Sequence, residues 1–156
     1  MALLVVLVLV TSGCRYNTLW AWGNSSSGQS GTGSFNDLPY PVPVGGATWK
    51  TTATGLFHSC GIQRDDTLWC WGQNSSGQVG DGTTTTRTSP FKVGTGSWKT
   101  VATGNASSHT CAIRSDDTLW CWGHNLSGQV GDGTTTHRLS PVQVGTGGWK
   151  AISTGS

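Results

Sequence analysis

The sequence predicts an all-β fold, a partial β-propeller of four-stranded blades. Three observations carry this: a motif repeated about every 50 residues, short runs of strand-forming residues between Gly-rich turns, and no sustained helical periodicity after residue 14. The repeated motif reads Thr-Leu-Trp-x-Trp-Gly, Ser-Gly-Gln-x-Gly, Pro-x-x-Val, Trp-Lys. It falls at Trp20, Trp22, Gly28, Pro41 and Trp49, at Trp69, Trp71, Gly77, Pro90 and Trp98, and at Trp120, Trp122, Gly128, Pro141 and Trp149. Units of this size cannot bury their apolar faces alone and must stack on one another.

Within a repeat, Trp98 to Thr103, His109 to Arg114, Thr118 to Gly123 and Pro141 to Val144 are β-branched, aromatic or alternating runs closed by Gly, Asp, Asn or Pro. Four such strands make one propeller blade. The copies differ in length at one place, where Gly104 and His109 stand two residues further apart than Gly55 and His58, so Asn105 and its neighbours form an insertion expected on a surface loop.

The segment from His109 to Gly133, with Cys60 to Gly82 repeating it, resembles the regulator of chromosome condensation repeat family in its Trp- and Cys-rich bacterial form, over residues 16 to 156. The resemblance implies a β-propeller, typically seven-bladed. It also admits a range of roles, guanine-nucleotide exchange on a small GTPase and enzyme inhibition among them, so it does not choose a function.

Composition fits an exported all-β protein. Only 10% of residues are charged, against about 25% in typical domains, and the net charge of +2 offers no electrostatic case for nucleic acid. Residues 2 to 10 are an apolar run shorter than the roughly 20 residues a membrane span takes, and read as the core of a signal peptide over residues 1–13. The alternative use of this run is a first propeller strand. Thr11-Ser12-Gly13-Cys14 is similar to a bacterial lipoprotein cleavage box, which makes Cys14 a lipidation candidate and membrane attachment a consequence. The remainder divides into a partial first repeat, 14–55, a second, 56–104, and a third, 105–156, that stops before its next strand. Fewer than three full blades cannot close a ring, so the propeller is expected to continue in a longer chain or to be completed by self-association.

The other four cysteines point to the same compartment. Cys60 and Cys70 flank Arg64-Asp65-Asp66, and Cys111 and Cys121 flank Ser115-Asp116-Asp117. If each tip is a three-residue loop whose last Asp is left-handed, Gln63 pairs with Thr67 and Cys60 lies opposite Cys70, a placement that permits disulfides Cys60–Cys70 and Cys111–Cys121. The first repeat has Ala21 instead and offers no partner. Disulfides imply an oxidising location: periplasmic, cell-surface or extracellular.

Metal and catalytic readings are weaker. His109, Cys111, Cys121 and His124 are zinc-type ligands, but the second repeat has Gln73 in place of the second histidine, so no metal site is assigned. Asp65-Asp66 and Asp116-Asp117 fit turn tips better than acid–base pairs. The Gly-Gln-Val-Gly-Asp-Gly run lacks the Lys and the helix of a phosphate loop. No catalytic residue, cofactor or enzyme activity is predicted. The Trp pairs are expected in blade packing rather than on a sugar-binding surface. Asp81 and Asp132 are each followed six residues later by Arg87 or Arg138, and the first repeat loses both partners, with Thr32 and Leu38 there, which suggests a loop-stabilising ion pair.

Acceptor sequons stand at Asn24, Asn74, Asn105 and Asn125, and Asn105 is the best placed for glycosylation. The expected function is a non-enzymatic binding module presenting its variable loops, with Arg87, Asn105, His137 and Arg138 as candidate contacts, to a protein partner. A GTPase regulator and a carbohydrate-binding propeller are the alternatives.

Overall fold

The computed structural model describes residues 6–12, 16–104 and 108–155, and every regular element among them is a β-strand. They form three antiparallel sheets in chain order. The first holds β1 (Val6–Ser12), β2 (Tyr16–Gly23) and β3 (Leu38–Pro43); the second holds β4 (Trp49–Thr54), β5 (His58–Gln63), β6 (Leu68–Gly72) and β7 (Arg87–Lys92). The third holds β8 (Trp98–Thr103), β9 (His109–Arg114), β10 (Leu119–Gly123) and β11 (Arg138–Val144). Each sheet is a meander, and none closes on itself. The expected four-stranded blade is complete in the second and third sheets, whereas the first has three strands.

The apolar run near the amino terminus is a strand here. β1 pairs antiparallel with β2, Leu7 opposite Ala21, as Cys60 in β5 is opposite Cys70 in β6. Retention as a blade strand and removal as a leader are therefore exclusive uses of residues 6–12 in a mature protein. Cys14 lies outside the described residues, as does Asn105.

The hairpin tips have the anticipated geometry. Asp66 and Asp117 are left-handed, with φ of 65° and 67°, and Gln63 N donates to the Thr67 carbonyl, as Arg114 N does to Thr118. Asp65 and Asp116 each accept from the backbone and hydroxyl of the Thr two residues on, the bonding of a turn residue rather than of a catalytic acid. The register puts Cys60 opposite Cys70 and Cys111 opposite Cys121, and both pairs are disulfides. This takes the thiolates from the candidate ligand set of His109, Cys111, Cys121 and His124.

The last strand of the third sheet begins three residues before the predicted Pro141. Gly123 pairs with Arg138 beyond a bulge that follows Cys121, so the ladder extends past the proline, which cannot donate. In the second sheet the same bulge brings Gly72 to φ +103°, where a Cβ would lie 2.5 Å from the Phe57 carbonyl oxygen. The Gly that follows each Trp-x-Trp is thus required by the close approach of the neighbouring strand.

Alternation along β2, β6 and β10 gives each sheet two unlike faces. Leu19, Ala21 and Val44 of the first sheet pack on Trp49 and Trp71 of the second. Cys60, Ile62, Leu68, Cys70 and Val93, on the far face of the second, pack on Trp98, Ala112 and Trp122 of the third. Trp71 and Trp122 are fully buried, each tilted against the Trp of its own first strand with ring centroids 5.6 Å apart for Trp49–Trp71 and 6.2 Å for Trp98–Trp122. The Trp pairs are core, as their placement on a two-sided blade predicts.

Candidate protein-binding surface

Three loops, 24–37, 73–86 and 124–137, follow the central Trp-x-Trp strand of each sheet. They are stitched side by side into a row. Gly33 N donates to the Thr88 carbonyl at 2.8 Å, and Gly82 N to that of Leu139 at 2.9 Å. A stronger tie lies beneath. The Gln29 carbonyl accepts from Trp71 Nε1 and from Ser59 Oγ, both at 2.9 Å, and the Gln78 carbonyl accepts from Trp122 Nε1 and Thr110 Oγ1 at the same distance. Each Ser-Gly-Gln-x-Gly turn is thereby held by an indole and a hydroxyl of the following sheet. The indoles come so near that a Cβ on Gly31 or Gly80, both at positive φ, would lie 2.6 or 2.5 Å from Nε1.

The Thr110 hydroxyl also fixes a proton. Having donated its only hydrogen to Gln78, it must accept from His58 Nε2, 2.9 Å away, so the imidazole is neutral with its proton on Nε2. Complete burial, aided by the neighbouring charge of His109, pushes the His58 pKa down to about 3 from 6.5. An unfolded chain protonates this ring near pH 6.5 while the folded chain resists to about pH 3, so unfolding takes up a proton within that window and stability falls as the pH drops through it. The loss due to His58 is about 2 kcal/mol between pH 7 and pH 5. Denaturant unfolding at the two pH values measures it, and His58→Gln is expected to remove that part of the slope.

Inside the second loop, Asn74 is fully buried. Its amide nitrogen donates to the Thr83 and Thr85 carbonyls and to Asp81 Oδ1, and its oxygen accepts from Val79 N. Asn125 repeats the arrangement with Thr134, Thr136, Asp132 and Val130. The sequons at Asn74 and Asn125 are therefore closed to glycosylation in the folded chain, because their acceptor nitrogens are spent inside the loops. Asn74→Ala leaves several of these groups unpaired and is expected to cost about 2–3 kcal/mol, read as a lower midpoint in urea.

The ion pairs suggested by the paired Asp and Arg positions are present. Arg87 Nη2 lies 2.6 Å from Asp81 Oδ2, and Arg138 Nε lies 2.5 Å from Asp132 Oδ2. Burial opposes ionisation of Asp81, but bonds from Thr83, Arg87 and Asn74 outweigh it and hold its carboxyl below the usual value. Bonds from Thr134 and Arg138 lower Asp132 to about 2. The guanidinium of Arg87 also lies over the Phe91 ring, 4.6 Å from its centroid. Both arginines put forward as binding contacts thus brace their loops. His137 accepts Asn125 N at Nδ1 and stacks with His124 at 4.8 Å, closing the third loop from its far side.

Sequence reasoning passed over two kinds of residue. Asp37 accepts from Ser25 N and Asn24 Nδ2 and so closes the first loop, which lacks the Asp–Arg pair. Its signal was its alignment with Thr86 and His137. Phe35 and Leu126 are 56% and 65% exposed on the first and third loops, where the other copies have Thr or Ser. Tyr40, 68% exposed on β3, stands where the other copies have Ser89 and Ser140.

Comparison with known proteins follows this architecture. A sequence model of the Regulator of chromosome condensation (RCC1) repeat matches residues 49–78 and 98–129, and a second model of the same repeat matches 65–113; together they span 49–129, more than half the chain. No curated protein matches it in sequence. Among solved structures, the chain is similar to Prp20p from Saccharomyces cerevisiae, described with its binding to Gsp1p and histones, at a TM-score of 0.74 and 22% identity, covering 83% of this chain and 34% of that one. It is similar to yeast RCC1 (Prp20) bound to Kap60 at 0.72 and 21%, covering 83% and 33%, and to human WBSCR16 at 0.53 and 18%, covering 90% and 52%. The chain thus spans about a third of the length of the first two. With the repeat matched across its centre and its sheets stacked like the blades of those propellers, the chain belongs to the regulator of chromosome condensation repeat family.

Proposed function

We propose that this chain is a non-enzymatic protein-binding module that presents the row of loops 24–37, 73–86 and 124–137 to a protein partner. The observation that carries the reading is the division of labour in that row. The polar and charged side chains Asn74, Asp81, Arg87, Asn125, Asp132 and Arg138 are turned to bracing the loops, while the large apolar Phe35 and Leu126 project into solvent. Exposed apolar side chains on a rigid polar frame have the makings of binding anchors. A photo-crosslinking residue at position 126 is expected to trap one protein in the producing cell, and trapping is expected to disappear when Phe35→Ser is added. Crosslinks indifferent to Phe35, or none, would contradict the assignment.

The compartment belongs to the same reading. Two cross-strand disulfides support an oxidising location outside the cytosol. Thiol titration of the unfolded, unreduced full chain is expected to find one free cysteine, Cys14; five would place the protein in a reducing compartment. The intact mass of the mature protein then decides between the two uses of residues 1–13. A mass beginning at Cys14 means leader removal and lipid attachment, and a full-length mass means that β1 stays in its sheet.

Guanine-nucleotide exchange on a small GTPase is the second reading, supported by the likeness to Prp20p. Release of fluorescent GDP from candidate GTPases separates it from the first: the binding-module reading expects no acceleration by the purified chain.

A further inference from the structure

The two junctions between sheets use one set of parts, and the chain carries a third set that is divided between its ends. At the carboxy-terminal end, the turn at Gly128–Gly131 is built like its two predecessors, but among the described residues the Gln129 carbonyl receives no indole and no hydroxyl. Space stands where the earlier copies are filled. A Cβ on Gly28 would meet Thr88 and one on Gly77 would meet Leu139, whereas one on Gly128 meets nothing within 4 Å, and Gly131 lacks the indole that covers Gly31 and Gly80. Beside this seat lies the free face of the third sheet, with Cys111, Ile113, Leu119, Cys121, Val142 and Val144, touched only by Ile152 from the tail. Trp149, which corresponds to the buried Trp49 and Trp98, is 38% exposed.

The amino-terminal end has the complementary parts. Trp22 occupies the position of Trp71 and Trp122. Because Ala21 faces the second sheet, Trp22 lies on the opposite, free face of the first. Its Nε1 donates to no acceptor among the described residues. The first sheet also lacks the strand that β4 and β8 supply to the others. Residues 149–154, Trp-Lys-Ala-Ile-Ser-Thr, have the sequence character of β4 and β8, and Trp149 N accepts the same anchorage as Trp98 N, donating to the Asp117 carbonyl where Trp98 donates to that of Asp66.

We propose that two copies of the chain associate head to tail. Trp22 of one copy sits on Gly131 and donates to the Gln129 carbonyl of the other, and residues 149–154 of that other copy pair with the open edge of β1 as the missing fourth strand, with Trp149 tilted against Trp22. The contact is heterologous, so it closes a ring if the rotations permit and otherwise extends, and its main-chain part is strand addition to an exposed edge.

Sedimentation of the oxidised full chain over a dilution series tests the contact. The expected result is reversible association into a pair or a longer series, weakened about ten-fold or more by Trp149→Ala, which removes an exposed side chain, and likewise by Trp22→Ala. Mixing the two variants restores one complete contact, the intact tail of the Trp22→Ala chain on the intact head of the Trp149→Ala chain, so the mixture is expected to pair where neither does alone. Should Trp22→Ala disturb the strand spectrum, Trp22→Phe keeps the ring and removes only the donor. A wild-type monomer throughout, variants that associate like wild type, or a mixture no better than its components would each overturn the proposal.

Discussion

Replacing Trp122 by Ala is expected to cost about 3–5 kcal/mol, the range for deleting a buried aromatic side chain, and to separate the second and third sheets. The residue is fully buried, packs on Trp98 and the Cys60–Cys70 face, and donates to the Gln78 carbonyl through Nε1. Folded domains have only about 5–15 kcal/mol in total, so the loss is a large part of the whole. Chemical denaturation with tryptophan fluorescence measures it. Tyr40→Ala, at a position 68% exposed, is the matched control and is expected to move the midpoint little.

The second large effect comes from the cysteines. Each disulfide closes a short hairpin, Cys60–Cys70 and Cys111–Cys121 both bridging ten residues of separation. In the chain-entropy account each such link stabilises by about 3 kcal/mol. Removing both, by Cys→Ser at all four positions, is expected to leave a chain that unfolds at or below physiological temperature. The two bonds are not equally sheltered. Cys60 and Cys70 are fully buried between sheets, whereas Cys111 and Cys121, on the free face, retain 8% and 3% exposure. Graded reduction followed by peptide mapping is therefore expected to open Cys111–Cys121 first, and equal rates would argue that the third sheet's face is covered.

Much of this design was open to reading in the sequence, because it is local. The Asp-Asp tips, the opposed cysteines, the Trp pairs and the Asp–Arg braces all depend on spacings within one repeat, and three copies allow their joint gains and losses to be compared. The parts that bind one sheet to the next were not open in that way. The acceptors of Trp71 and Trp122 are main-chain carbonyls, Gln29 and Gln78, and a carbonyl leaves no trace in residue identity. The His58–Thr110 bond joins different repeats, so no spacing marks it. Residues 6–12 were ambiguous for a physical reason: an apolar, β-branched run suits both a leader core and a strand, and only the pairing partner distinguishes them. At the binding surface the reading favoured charged loop residues, Arg87 and Arg138 above all. Charge alone did not reveal that buried aspartates had engaged them.

The central claim is that each blade is locked to the one before it by an indole N–H on a glutamine carbonyl. Hydrogen exchange of the tryptophan indoles, followed by NMR at dilution, tests that claim most directly. The Nε1 protons of Trp71 and Trp122 are predicted to exchange only through unfolding, far more slowly than that of the exposed Trp149. Exchange of Trp71 and Trp122 as fast as that of Trp149 would contradict the lock.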